Sequence, residues 1–127
     1  MVVFSLKDDF KSKVFAVVGA SNNVDKYGFK VFHDLKVKGF RVVPVNLHEE
    51  FVDGVRVFKS VLDVPFKVDW VVFVVPPSVS FSVLKSLFDK GFSFWFQPGS
   101  ECVECKNFCF ENGLNCVFDA CIMRRSD

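Results

Sequence analysis

Residues 14–23 read VFAVVGASNN. A β-branched apolar run ends in Gly19-Ala20-Ser21, and an amphipathic helical pattern opens a few positions later at Tyr27. Strand, tight turn and helix start is a layout that holds anions. Backbone N–H groups at the turn and at the helix N-terminus point outward with partial positive charge, so a phosphate can dock without a basic side chain. The turn falls early in the chain, as expected for the first strand of a nucleotide-binding sheet.

Working outward, strands and helices alternate. Residues 27–38 read as a helix with Gly28, Val31, Phe32 and Leu35 on one face and Gly39 as its C′ residue. Residues 41–45 are a second strand, 55–58 a short third strand, and 60–64 a single helical turn closed before Pro65. The run 70–75 is apolar throughout, the mark of a parallel strand covered on both faces. Residues 79–90 read as a helix on Val79, Val83, Leu84, Leu87 and Phe88, ended by Gly91. Strand 93–96, helix 101–112 ended by Gly113, and strand 115–118 follow. Ser5 and Asp8 resemble an N-cap and its N3 acid, so a short leading helix is expected at about 5–12. The pattern predicts a single α/β domain over 1–127: a doubly wound parallel sheet of about five strands with right-handed crossovers. The order 3-2-1-4-5 places a ligand crevice at the carboxyl ends of the strands that begin at Val14 and Trp70.

Composition narrows the function classes. With 127 residues, half of them hydrophobic and 24% charged, the chain is long enough for one packed core and too apolar to be disordered. A net charge of +1 with no run of like charges gives no field for DNA or RNA. The longest apolar run, 70–77, is far short of the roughly 20 residues that span a membrane. Lys7, Asp8 and Asp9 interrupt the N-terminus, so no signal peptide is expected and the chain reads as cytoplasmic. Phenylalanine occurs 18 times, whereas threonine is absent and Ile122 is the lone isoleucine. Phe66, Phe81 and Phe92 fall at positions expected to be at least partly exposed.

All five cysteines lie in the last 26 residues: Cys102, Cys105, Cys109, Cys116 and Cys121. The odd count and clustering argue against a disulfide framework. Cys102-x-x-Cys105 with Cys109 suggests a metal site, but no histidine stands nearby to complete a zinc shell. Positions 102, 105 and 109 share one helix face, which favours core packing.

Unusual residues gather at the carboxyl ends of the strands. Gly19, Ala20, Ser21, Asn22 and Asn23 follow the first, Asn46 the second and Pro76-Pro77 the long apolar one. Gln97, Pro98, Gly99 and Ser100 follow the next, and Asp119, Ala120 and Cys121 the last. A dinucleotide dehydrogenase would carry further glycines in the first turn and an acid at the end of the second strand. This chain has Gly19 alone in that turn, and Asn46 where the acid would be.

The set Gly19-Ala-Ser, Lys26-Tyr27-Gly28, Val43-Pro44-Val45-Asn46, Val74-Val75-Pro76-Pro77, Trp95-Phe96-Gln97-Pro98-Gly99 and Asp119-Ala-Cys121-Ile-Met123 resembles the small stand-alone CoA-binding proteins. These are Rossmann-like domains, similar to the CoA-binding domain of the succinyl-CoA synthetase α subunit. The resemblance runs over about residues 12–124. It implies that coenzyme A or an acyl-CoA binds across the strand ends. The implied contacts are Gly19, Ala20, Ser21, Asn22, Lys26 and Tyr27 at the turn and helix start, Asn46, Val75, Pro76 and Pro77 beside them, and Gln97, Gly99 and Cys121. A pyrophosphate needs N–H donors and a cation, which Ser21 and Lys26 can supply; the two prolines lack N–H groups and offer an apolar wall.

The catalytic inventory is thin. His33 falls mid-helix and His48 beside Glu49 and Glu50, and no Ser–His–Asp or Cys–His set is legible. Cys121 is the one candidate reactive group. The sequence therefore reads as a binding module for a small molecule, with no nucleic-acid or membrane partner. A partner protein or homo-oligomer stays open. So do an NAD(H)- or adenine-nucleotide-sensing domain and an accessory subunit of an acyl-CoA enzyme.

Overall fold

The computed structural model describes residues 11–127. The leading helix expected at 5–12 lies, but for its last two positions, outside them.

Strand β1 (Val14–Val18) is buried along nearly its whole length. Phe15 and Val17 point to one face of the sheet and Ala16 and Val18 to the other, because side chains alternate along a strand. A strand apolar on both faces needs cover on both, and the chain supplies it by winding. Helix α1 (Tyr27–Val37) leads to β2 (Arg41–Val45), then to an antiparallel hairpin of β3 (Phe51–Val52) and β4 (Val55–Arg56). A 3-10 turn at Val61–Asp63, capped by the Ser60 hydroxyl, precedes β5 (Trp70–Phe73). Helix α2 (Pro77–Leu87), β6 (Ser93–Phe96), α3 (Val103–Glu111), β7 (Cys116–Val117) and a short α4 (Ile122–Arg125) complete the fold. The main sheet runs β2-β1-β5-β6-β7, all neighbours parallel.

Two cores result. On one face Val31, Phe32 and Leu35 of α1 pack with Phe15, Val17, Trp70, Val72, Trp95 and Ile122. On the other, Leu84 and Leu87 of α2 and Cys105 and Cys109 of α3 cover Ala16, Val18, Val71, Phe73, Phe94 and Phe96. Part of the phenylalanine excess is spent here: Phe73 stacks on Phe96 at 4.8 Å and Phe96 on Phe118 at 4.7 Å between ring centroids. Phe66 is exposed, and Phe81 and Phe92 are half-buried, as the sequence suggests.

Three expectations are corrected, and one element is new. The third strand leaves the sheet: Val55–Arg56 turns back on Phe51–Val52 through Asp53-Gly54, a two-residue hairpin turn with both residues at positive φ. Only Phe58 reaches the sheet, bridging Val45 in parallel. The Pro44 carbonyl accepts from Phe58 N–H on this outer edge, so the N–H that proline lacks falls there too and costs the β1 ladder nothing. Helix α2 starts earlier than expected, with Pro76 as N-cap and Pro77 in the first turn, where a missing N–H is harmless. The continuous apolar strand ends at Phe73 rather than residue 75. Finally, α4 has four residues, too few to print a helical period on the sequence.

Position 28 locks the start of α1 to the end of β1. A Cβ on Gly28 would lie 2.0 Å from the Gly19 carbonyl oxygen. Gly28→Ala is expected to destabilise the protein by about 1–3 kcal/mol, measured by urea denaturation. An unchanged midpoint would show that the helix can back away from the turn.

Candidate functional site

The residues singled out in the sequence converge on one edge of the sheet, where hydrogen bonds join neighbouring strand ends. Gly19 N–H donates to the Val45 carbonyl (3.0 Å), Val74 N–H to Val18 (2.9 Å) and Gln97 N–H to Phe73 (3.1 Å). Gly19 sits at φ +97°, and a Cβ there would meet the Val74 carbonyl oxygen at 2.2 Å and Val75 Cγ1 at 2.6 Å. The turn is thus both left-handed and sterically closed to any side chain.

Beyond that glycine the loop offers donors. The N–H groups of Ala20 and Ser21, and those of Tyr27 and Gly28 in the first turn of α1, have no acceptor among the described residues. The Ser21 hydroxyl accepts from Asn23 N–H at 3.0 Å and keeps its own proton to donate. Lys26 is the N-cap, exposed and in no ion pair among the described residues. Asn22 differs from expectation. Its N–H goes to Glu49 (3.0 Å), its amide nitrogen to the Phe51 carbonyl, and its Oδ1 accepts from Asp53 N–H (3.2 Å), so it ties the loop to the hairpin.

Two cavities flank the turn. One, of about 350 Å³, opens among Gly19, Asn46, His48, Lys59, Val75 and Val83. The other, of about 800 Å³, opens among Tyr27, Gln97, Cys121, Met123, Arg124 and Arg125. Val75 and Val74, consecutive at the end of β5, reach opposite cavities. Pro76 and Pro77 are exposed at the head of α2, and Gly99 is exposed at φ +94° with its N–H on Glu101. None of these three lines either cavity.

Asn46 and Gln97 use their polar atoms on the protein itself. Asn46 donates to the Ala20 carbonyl (2.8 Å) and accepts from His48 N–H (2.7 Å), bracing the turn after β1 against the loop after β2. Gln97, 4% exposed, accepts from Ile122 N–H (2.7 Å), and its amide reaches Cys121 Sγ at 3.5 Å. Trp95 Nε1 donates to the Ala120 carbonyl at 2.9 Å. Together they pin residues 120–122 to the sheet, which places Cys121 in the larger cavity. Lys38 anchors the end of the chain: its ammonium bonds Asp34 (2.7 Å) and Asp127 (2.6 Å) and donates to the Met123 carbonyl (2.6 Å). Burial would lower its pKa, but the bonds to Asp127 and Asp34 outweigh burial and raise it.

The sequence reading set His48 aside as a loop residue beside two acids and passed over Lys59, Arg124 and Arg125. Arg124 and Arg125 follow the last recognisable strand with no period to place them. His48 and Lys59 lie in connections around the hairpin, and only folding brings them to the edge of β2. The Asp53-Gly54 dipeptide was the signal for that hairpin. His33 is exposed and its Nδ1 lies 2.8 Å from Asp53 Oδ2. Cys102 also departs from the expected buried stripe. It is the N-cap of α3, half-buried, and is paired with Cys105 as a disulfide, while Cys105 and Cys109 are buried as expected. Among the described residues no group of three or more His, Cys, Asp or Glu side chains is placed to hold a metal, and no helix is long and apolar enough to cross a membrane.

With that geometry in place, the comparisons agree. The CoA binding domain family matches residues 13–127, and the chain belongs to it. It is 42% identical over 83 residues to the α subunit of an ADP-forming acetate–CoA ligase II from Pyrococcus furiosus, covering 65% of this chain and 18% of that protein. It is 35% identical over 88 residues to an ADP-forming acetate–CoA ligase II from Archaeoglobus fulgidus, covering 68% of this chain and 13% of that protein. The chain thus spans less than a fifth of these two relatives. Among solved structures, a conserved hypothetical protein from Pyrococcus furiosus superposes with a TM-score of 0.83 at 42% identity, over 88% of this chain and 97% of that one. A hypothetical protein from Pyrococcus horikoshii OT3 superposes with a TM-score of 0.84 at 31% identity, over 94% and 84%. Coenzyme A is the cofactor this family binds, and the residues present fit it: unspent N–H donors at a helix start suit a pyrophosphate.

Two outcomes test the framework. Gln97→Leu removes the acceptor of the buried Ile122 N–H and is expected to cost about 1–3 kcal/mol, measured by urea denaturation; a neutral variant would show that the 120–122 segment holds itself. Asp53 is held below the ordinary carboxylate range, first by the hydrogen bond from His33, against some burial, and then by Lys36. A carboxylate with a lowered folded-state pKa adds stability that is present above its unfolded pKa and lost as pH falls through its folded value. Asp53→Asn should therefore cost no more than about 1 kcal/mol near neutral pH and nothing once the parent's Asp53 is protonated. Thermal melts of both proteins from pH 7 to pH 2 check this, and a gap that widens in acid would refute it.

Proposed function

We propose that the chain is a non-catalytic module that lays coenzyme A or an acyl-CoA over the carboxyl ends of the parallel strands. The observation that carries this reading is the group of unspent backbone donors, Ala20, Ser21, Tyr27 and Gly28, clustered where β1 hands over to α1. The pyrophosphate lies there, with Lys26 as the nearby cation. The two cavities give the long cofactor room on either side of the turn. Val74 and Val75 form the apolar wall between, Pro76 and Pro77 add exposed apolar surface at the head of α2, Asn46 and Gly99 shape the adjoining loops, and the thiol end runs toward Gln97 and Cys121 in the larger cavity. A module without its own chemistry fits the histidines: His33 is engaged with Asp53, and among the described residues His48 has neither a serine nor a cysteine bonded to it. NAD(H) is disfavoured because the Asn46 amide, at the place of the ribose-binding acid, is already committed to Ala20 and His48.

The relatives' description as ligase subunits favours a second reading: this chain serves as the CoA-holding part of a larger acyl-CoA enzyme. Co-purification of a second chain that confers ligase activity would select it over the stand-alone module.

Coenzyme A should raise the melting temperature. At ligand about 100-fold above Kd the stabilisation is roughly 2.7 kcal/mol, and NAD at the same concentration should give much less. A thermal-shift series in which NAD stabilises and coenzyme A does not overturns the proposal.

A further inference from the structure

The cysteines of the last βα unit are arranged asymmetrically. Cys102 stands at the N-cap of α3, half-buried, and its Sγ accepts from the Cys105 N–H at 3.1 Å. A sulfur so placed faces the positive end of a helix nine residues long, which favours its thiolate. Cys105, one turn on, is fully buried. Their Cα atoms are 5.0 Å apart, within the span a disulfide bridges. Cys102 is thus half-buried with its sulfur against a helix-start N–H, and Cys105 is buried behind it. A second pair lies further along the helix: Cys109, one helical turn beyond Cys105, has its Sγ 2.6 Å from Cys116 on β7. Core packing alone explains Cys105 and Cys109, but it gives no reason for a thiol at an N-cap, where serine, aspartate or asparagine would cap as well.

We propose that Cys102 and Cys105 form a redox couple that exchanges with small-molecule disulfides, with Cys102 as the attacking thiolate and Cys105 as the resolving thiol. The Cys102 thiolate attacks one sulfur of the disulfide RSSR, forming Cys102–S–S–R and releasing RS⁻, which takes a proton from water. Cys105, losing its proton to water, then attacks Cys102 Sγ and expels the second RS⁻. The chain gives up two electrons and two protons, and the disulfide becomes two thiols. The loop that carries Cys102 begins at Gln97 and is tied to the end of β5 by Val75 N–H on Ser100 Oγ at 3.1 Å. The couple therefore lies on the same sheet edge as the proposed cofactor site, which makes the disulfide of coenzyme A one source of RSSR; oxidised glutathione is another.

The test uses the full chain, reduced and freed of reductant, with oxidised glutathione and coenzyme A disulfide as separate probes. Intact mass and peptide mapping should show a Cys102–Cys105 disulfide and no lasting adduct on the parent. Cys105→Ser should trap the mixed disulfide on Cys102, and Cys105→Ala gives the same trap without a buried hydroxyl. Cys102→Ser should slow thiol release at least tenfold while keeping the parent's circular dichroism. Faster reaction with coenzyme A disulfide, abolished by excess coenzyme A, would assign the source to the cofactor site; equal rates would make glutathione-type disulfides sufficient and leave the couple standing. Trapping on Cys109, Cys116 or Cys121 instead of Cys102, or a Cys102→Ser protein that reacts at the parent's rate, overturns the proposal. Neither outcome bears on coenzyme A binding, which the thermal shift reads separately.

Discussion

The rest of the site depends on a contact between backbones. The end of β1, the first turn of α1 and the end of β5 meet at Gly19 and Gly28 with no space for a Cβ on either. That contact fixes where α1 begins relative to the sheet. It also decides where the N–H groups of Ala20, Ser21, Tyr27 and Gly28 point, because a left-handed Gly19 turns the chain outward just as the strand ends. The outward row of N–H donors is therefore a property of backbone geometry. The side chains nearby serve mainly to keep that geometry, as Asn46 does by gripping the Ala20 carbonyl.

The same division of labour runs along the whole edge. Gln97 and Trp95 hold the segment that leads into α4, and Lys38 holds its far end. These are buried or half-buried polar groups with their partners in place, so their value lies in fixing one arrangement of loops rather than in raw stability. A cavity lined by residues 119–127 exists because those bonds draw the end of the chain back over the sheet.

Much of the fold was legible in residues. Strand β1 and the strand beginning at Trp70 were readable because apolar β-branched runs bounded by Gly, Pro and Asn have few other uses. Helix α1 was readable because Gly28, Val31, Phe32 and Leu35 recur at helical spacing, and all four are buried. The hairpin was missed because its strands have two residues each, leaving Asp53-Gly54 as the sole signal. The head of α2 was missed because the apolar period begins at Val79, although proline in the first turn of a helix marks a start. Cys102 was misplaced by a helix that begins two residues later than its periodicity suggested, which turns a buried stripe position into a cap.

The sequence by itself determined the doubly wound sheet, the turn after β1 and the family, since these rest on local patterns: alternation, helical period and a few fixed dipeptides. Tertiary structure alone decided what each polar residue at the edge does. Asn22, Asn46 and Gln97 could each have faced a ligand. Their side chains face carbonyls and N–H groups instead, because neighbouring loops bring backbone groups that would otherwise lack partners in the protein. Whether a polar side chain binds a ligand or completes the protein depends on which unsatisfied group lies within about 3 Å of it. That distance is set by strands far apart in the chain.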